Sequence, residues 1–365
     1  MRNFMTLGIC MIVKDEEAVL ARCLDSIQET YDELIVVDTG STDKTVEIAK
    51  TYTDKVYTFE WVYDFSAARN YAFSLSECDF LMWLDADDVL DETNRQALKA
   101  LKNSLTADVD MVMMPYVAVF DEEGKPTLSY ERERIVRRTA NFSWVGAVHE
   151  VIVPRGNVVH SDVSVFHKKI RPAEAGRNLK IFQKMLADGK TPDERQKFYY
   201  ARELFDNGLY DAAVTAYSEF LNGDGWVENK ICACRDLSAC FCKKNMPKQA
   251  LAALFKSFEL DSPRAETCCD LGAFYMQHAL YGRAVFWYKL ALNLKPDLTT
   301  GAFVFADCYG YIPAIQLCVC YDRLGQLQKA QKYNELAGRF KPNNASYLHN
   351  KQYFDKILKN KGNEQ

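Results

Sequence analysis

The sequence predicts two structural classes in succession. An α/β domain with a doubly wound, mostly parallel sheet occupies residues 1–172, and an all-α domain of helical repeats occupies residues 173–365. Three observations carry this. Short apolar runs alternate with helix-period segments from the N-terminus onward, the β-α-β-α order of a parallel sheet. Those runs are apolar without a polar break, as expected of strands buried on both faces. In the second half an alanine recurs in similar helices, with 34 residues between Ala250 and Ala284, the spacing of a helical hairpin repeat.

Taken in order, Leu7–Val13 is the first strand. The charged Lys14-Asp15-Glu16-Glu17 follows it directly, without the small-residue cleavage site of a signal peptide. Val19, Leu20, Cys23, Leu24 and Ile27 fall at helical spacing. Residues 34–37 form a second strand, and Asp38 stands at its end. Thr39-Gly40-Ser41-Thr42-Asp43 is a turn whose capping residues open the next helix. A third strand covers 56–59, and Asp64-Phe65-Ser66-Ala67-Ala68-Arg69-Asn70 begins another helix. Residues 80–84 are a fourth, fully buried strand, with a helix expected over 92–103. Residues 111–120 form a long apolar run, a turn is expected at 121–124, and Arg171-Pro172 ends the domain.

The chemistry gathers where the fourth strand ends, at Asp85-Ala86-Asp87-Asp88. Acidic residues at the carboxyl end of a parallel strand lie where open α/β sheets bind ligands. Asp85 and Asp87 are two apart, and carboxylate oxygens at that spacing suit one hard divalent cation. The plainer alternative is that Asp87, Asp88 and Asp91 only start the following helix. Asp38 repeats the placement and suits either a ribose or base, or a turn cap. Arg132, Arg134, Arg137 and Arg138 bracket a further strand, and their guanidinium forks suit phosphate.

Composition excludes several classes. The chain has 365 residues, 48% of them hydrophobic, enough for full cores, and a net charge of −5. That charge offers no basic field for nucleic acid. No run reaches the ~18 apolar residues of a membrane span. Neither a G-x-G-x-x-G fingerprint nor a P-loop occurs. The twelve cysteines lack C-x-x-C spacing and read as small buried hydrophobes of a reducing, cytoplasmic protein.

Four segments together carry a resemblance: Met11-Ile12-Val13-Lys14-Asp15-Glu16-Glu17, the stretch from Val36 to Thr45, the stretch from Asp64 to Asn70, and Trp83-Leu84-Asp85-Ala86-Asp87-Asp88. They resemble, in order and spacing, the motifs of family 2 glycosyltransferases with the GT-A fold. Gly146-Ala147-Val148-His149-Glu150 and Phe166-His167 resemble a bacterial subgroup with a C-terminal tetratricopeptide region, which includes sublancin-type peptide S-glycosyltransferases. The resemblance implies inverting transfer of a sugar from a nucleoside-diphosphate sugar, with a bias to UDP, assisted by Mn²⁺ or Mg²⁺. Carried over by position, Asp38 would hold the base, with Asp64 and Arg69 near it and the diphosphate. Asp85 and Asp87 would handle ribose and metal, His167 would complete the metal or phosphate site, and Glu150 would be the acceptor-side catalytic carboxylate, with His149 its competitor. The subgroup's H-x-G-Y continuation is replaced here by His167-Lys168-Lys169-Ile170.

In the second half Ala213, Ala250, Ala284 and Ala330 mark successive repeats, with an insertion near 299–310 and Pro263, Pro296 and Pro342 closing helix pairs. Stacked repeats make an extended concave surface, which suits a peptide or protein acceptor. The alternative uses are bracing of the catalytic domain or a homodimer contact. Two other functions compete. A nucleotidyltransferase would carry a Gly-rich, Arg-containing loop after the first strand, where Lys14-Asp15-Glu16-Glu17 stands. A non-catalytic repeat scaffold with a decayed enzyme domain is opposed by the intact Asp38, Asp85, Asp87 and Glu150.

Overall fold

The computed structural model describes residues 5–121, 124, 126–170, 174–296 and 303–362. The turn expected at 121–124 lies partly outside these residues, as does the insertion near 299–310, and Arg171-Pro172 lies wholly outside. The chain separates into two compact units, Met1–Glu203 and Leu204–Gln365. The N-terminal unit therefore runs past residue 172, where strand gives way to helix in the sequence.

The N-terminal unit begins with β1 (Leu7–Val13), α1 (Leu20–Ser26), β2 (Glu33–Asp38), α2 (Thr45–Ala49), β3 (Val56–Thr58), α3 (Phe65–Ser74) and β4 (Phe80–Trp83). Next come β5 (Asp88–Val89), α4 (Glu92–Ser104), β6 (Met111–Phe120) and β7 (Pro126–Arg137). The short strands β8 (Trp144–Val145), β9 (Val151–Ile152), β10 (Val158–His160) and β11 (Val165–His167) precede α5 (Arg177–Ala187) and α6 (Glu194–Asp206). The main sheet has the order β3-β2-β1-β4-β7-β6-β11-β5, with β10 on β6. The strands from β3 to β4 run parallel, whereas β7 enters antiparallel between β4 and β6.

The unbroken apolar strands follow from two cores on opposite faces of this sheet. Leu7, Ile9, Met11 and Val13 of β1 face one, with Leu20 and Leu24 of α1 and Leu98 of α4. Cys10 of β1, Ile35 and Val37 of β2, and Leu81 and Trp83 of β4 face the other, with Ala72 and Phe73 of α3 and Trp144. Successive side chains on a strand point to opposite faces, so a strand covered on both sides has no position left for a polar residue.

The second unit is helical: α7 (Tyr210–Asn222), α8 (Val227–Lys243), α9 (Pro247–Leu260), α10 (Ala265–Gln277), α11 (Tyr281–Asn293), α12 (Tyr311–Arg323), α13 (Leu327–Phe340) and α14 (Ala345–Gly362). Ala213, Ala250, Ala284 and Ala330 are all fully buried, as a close helix-helix contact at each repeat requires. The same closeness explains Gly272 of α10. A Cβ built there would lie 2.5 Å from the Tyr288 ring of α11. No helix among the described residues is long and apolar enough to cross a membrane.

Gly272→Ala poses a contest between two terms. Alanine is favoured over glycine inside a helix by about 1 kcal/mol, but overpacking a core costs typically about 1–3 kcal/mol. With the ring this close, the substitution is expected to lower stability in urea unfolding. A raised midpoint would mean the Tyr288 ring moves aside freely.

Candidate active site

The site is built around the carboxyl end of β4. Apolar burial carries the chain in as Phe80–Trp83, and the backbone then turns at Asp85, where Asp88 N–H donates to the Asp85 carbonyl at 3.0 Å. Two buried arginines hold this turn from different elements. Arg69 projects from α3, which Asp64 caps by accepting from Ala67 N–H at 3.0 Å. Its guanidinium Nη2 donates to Asp85 Oδ1 and its Nε to Glu150 Oε1, each at 2.6 Å. It also lies 4.9 Å from the Trp83 ring and 4.8 Å from the Trp144 ring, a cation set against two indoles that meet edge to face. Burial opposes the charge on Asp85, but Arg69, with Arg134 and Arg132 behind it, outweighs burial and holds the carboxyl well below the usual range.

Arg134 of β7 is fully buried, as is Asp88. Its Nη1 donates to the Trp83 carbonyl at 3.2 Å and to Asp88 Oδ2 at 3.0 Å, and its guanidinium carbon sits 3.7 Å from the Trp83 ring. The same Asp88 Oδ2 accepts from Asp85 N–H at 3.1 Å. Asp88 Oδ1 is left buried with no hydrogen-bond partner.

His167 comes to this atom because β11 pairs antiparallel with β5, opposing His167 to Asp88. His167 Nδ1 lies 3.3 Å from Asp87 Oδ1 and 3.7 Å from Asp88 Oδ1. These contacts are ion-pair distances without hydrogen-bond alignment, and the nitrogen counts as buried and unsatisfied. Asp87, then Asp88, push the imidazole up to about 9 against the effect of burial. Ligand atoms of Asp87, Asp88 and His167 all lie within 4.8 Å of one another. Two carboxylates and an imidazole, two of whose buried atoms lack partners, fit a divalent cation.

The structure thus regroups the residues expected from sequence. Asp87 and His167 come together, but Asp88 joins them while Asp85 turns to Arg69. Asp91, not Asp87 or Asp88, caps α4, accepting from Asn94 N–H at 2.8 Å. Asp38 closes its own turn, accepting from Gly40 and Ser41 N–H at 3.1 Å. Glu150 pairs through its side chain with Arg69, whereas Arg132 reaches only its backbone carbonyl, at 3.4 Å. His149 points elsewhere, its Nε2 2.9 Å from Glu203 Oε1. The guanidiniums expected to bind phosphate are engaged by the protein: Arg132 by Glu133, Arg134 by Asp88, Arg137 by Asp110 and Arg138 by the Cys78 carbonyl. The third aspartate in the Asp85-Ala86-Asp87-Asp88 run was the one sequence signal for Asp88. Nothing local in the sequence pointed to Glu203.

Comparison with known proteins agrees with this architecture. Residues 8–156 match the family Glycosyl transferase family 2. The SPbeta prophage-derived glycosyltransferase SunS of Bacillus subtilis is 29% identical over 55% of this chain and 49% of its own length. The lipopolysaccharide core biosynthesis glycosyltransferase LpsC of Rhizobium meliloti is 28% identical over 60% of this chain and 88% of its own. A TPR repeat-containing protein of Synechococcus elongatus is 48% identical over 23% of this chain and 21% of its own. The chain spans about half of SunS and about a fifth of the Synechococcus protein. Residues 8–156 are a family 2 glycosyltransferase domain, which this chain joins to a tetratricopeptide-like helical unit.

Proposed function

We propose that the chain transfers a sugar, with inversion, from a nucleoside-diphosphate sugar (by preference a UDP-sugar) to a side chain of a peptide or protein. Glu150 is the general base of this reading. The observation that carries it is the pair of 2.6 Å contacts through which Arg69 links Glu150 to Asp85. They tie the acceptor-side carboxylate to the D-x-D turn through one buried cation. In this reading Glu150 takes the proton from the acceptor hydroxyl or thiol as it attacks C1, and the bond from C1 to the diphosphate breaks in line. Asp38 accepts from the base, Asp85 serves the ribose, and Asp64 and Arg69 flank the nucleotide. Asp87, Asp88 and His167 would hold a divalent cation, which when bound neutralises charge on the diphosphate leaving group. The helical repeats support a peptide or protein as acceptor, because such stacks present extended surfaces. The likeness to LpsC favours a saccharide acceptor instead, and offering the purified protein peptide and oligosaccharide acceptors with UDP-sugars separates the two.

The metal assignment predicts a pH dependence. The cation must displace a proton from His167, whose pKa is raised to about 9. Mn²⁺ affinity measured by calorimetry should therefore rise between pH 7 and pH 9, by up to about 1.36 kcal/mol per unit. Asp87→Ala should abolish Mn²⁺ binding and Mn²⁺-dependent UDP binding while the protein stays folded. Binding that survives in this variant would remove the cluster from consideration.

For the base, Glu150→Gln keeps shape and removes charge. It should lower kcat by about 10²–10⁴ with UDP affinity unchanged. A thiol acceptor should suffer less than a hydroxyl, because a thiol ionises near pH ~8.5 unaided. Near-normal kcat in Glu150→Gln together with collapse in His149→Ala would shift the role to the histidine.

A further inference from the structure

The residue beside the proposed base is held in an unusual way. His149 has φ +53°, in the left-handed region that side chains other than glycine seldom adopt. Such a conformation persists when its surroundings over-determine it. Here the surroundings are the two helices that follow the sheet. His149 Nε2 lies 2.9 Å from Glu203 Oε1, and Asn178 Nδ2 of α5 donates to the same oxygen at 2.9 Å. The imidazole is stacked on Tyr199 of α6, with centroids 4.1 Å apart and 15° between the planes. Arg195 Nε, also on α6, donates to the His149 carbonyl at 3.4 Å, and its guanidinium lies 4.8 Å from the Tyr199 ring. The flanking strands β8 and β9 have two residues each, and so short a hairpin is poorly fixed by its own ladder. On its far side the turn is tied to α3, where Phe65 N–H donates to the Ala147 carbonyl at 2.8 Å.

We propose that Glu203 is a positioning residue: through His149 it locks the turn that presents Glu150 to Arg69. Its influence runs from the carboxylate to the imidazole, and from there along the backbone of His149 to the neighbouring Glu150. The inference rests on Glu150 as the base, and it makes α5 and α6 part of the catalytic apparatus. A role in proton transfer for His149 is replaced by one in orientation.

The test uses the full chain with Glu203→Leu, which removes the partner of His149, and Glu203→Gln, which keeps an acceptor oxygen. Amide hydrogen exchange is followed over residues 146–150 and over β1 and β4. UDP affinity is measured by calorimetry, and turnover is measured with a panel of UDP-sugars. In Glu203→Leu the amides of 146–150 should exchange about tenfold faster, with β1 and β4 unchanged. UDP affinity should hold, kcat should fall by up to about 10²-fold, and Glu203→Gln should restore both exchange and turnover. Unchanged exchange at 146–150, or faster exchange throughout the sheet, overturns the proposal. A loosened turn with normal kcat also overturns it when Glu150→Gln is inactive. If Glu150→Gln is active too, it is the base assignment that fails. Should Glu203→Leu not fold, Tyr199→Leu removes the stacking partner and is held to the same outcomes.

Discussion

The site depends on cations buried against one indole. Arg69, Arg132 and Arg134 all lie within 5 Å of the Trp83 ring. Each also meets a carboxylate: Arg69 meets Asp85 and Glu150, Arg132 meets Glu133, and Arg134 meets Asp88. A charge taken out of water is costly unless it is paired and hydrogen-bonded. None of these groups can leave without stranding its partner, so the carboxyl end of β4 is over-determined from α3, from β7 and from the turn before β9. That makes the acidic turn a rigid part of the fold rather than a mobile loop.

This arrangement divides the acidic residues by partner. Asp85 and Glu150 share a guanidinium and are satisfied within the protein. Asp88 gives one oxygen to Arg134 and keeps the other buried without a hydrogen bond, at ion-pair distance from His167. The first group is held by hydrogen bonds to a buried guanidinium, and the second converges on His167 without hydrogen-bond alignment. In the proposed reading, neighbouring carboxylates on one turn take different tasks, organisation of the reacting groups on one side and cation binding on the other. Fold likeness alone could not have assigned these tasks, because function belongs to sites rather than to folds.

The compact unit that holds the sheet also takes in the helices that follow it. Strand gives way to helix near residue 172, yet the compact unit extends to Glu203. Leu179, Ile181, Phe182 and Met185 of α5 are buried, and Asn178 and Glu203 reach back to His149. A change of secondary structure is a local property, whereas a domain is defined by which surfaces are buried together.

The sequence by itself determined the long apolar strands, the two-faced burial of the sheet and the helical repeats, but not the short strands β5 and β8 to β11. These follow from periodicity and from small residues at close contacts, which are properties of neighbours in the chain. It also marked the acidic turn, because three carboxylates after an apolar run are conspicuous locally. Only the tertiary structure decided which of them act together. Asp88 meets His167 through the β11–β5 pairing, across 79 residues of chain. Glu150 meets Arg69 rather than one of the nearer arginines of β7. His149 meets Glu203, 54 residues away. Charged groups pair according to where strand register and helix packing deliver them, and no local pattern in the chain encodes that meeting.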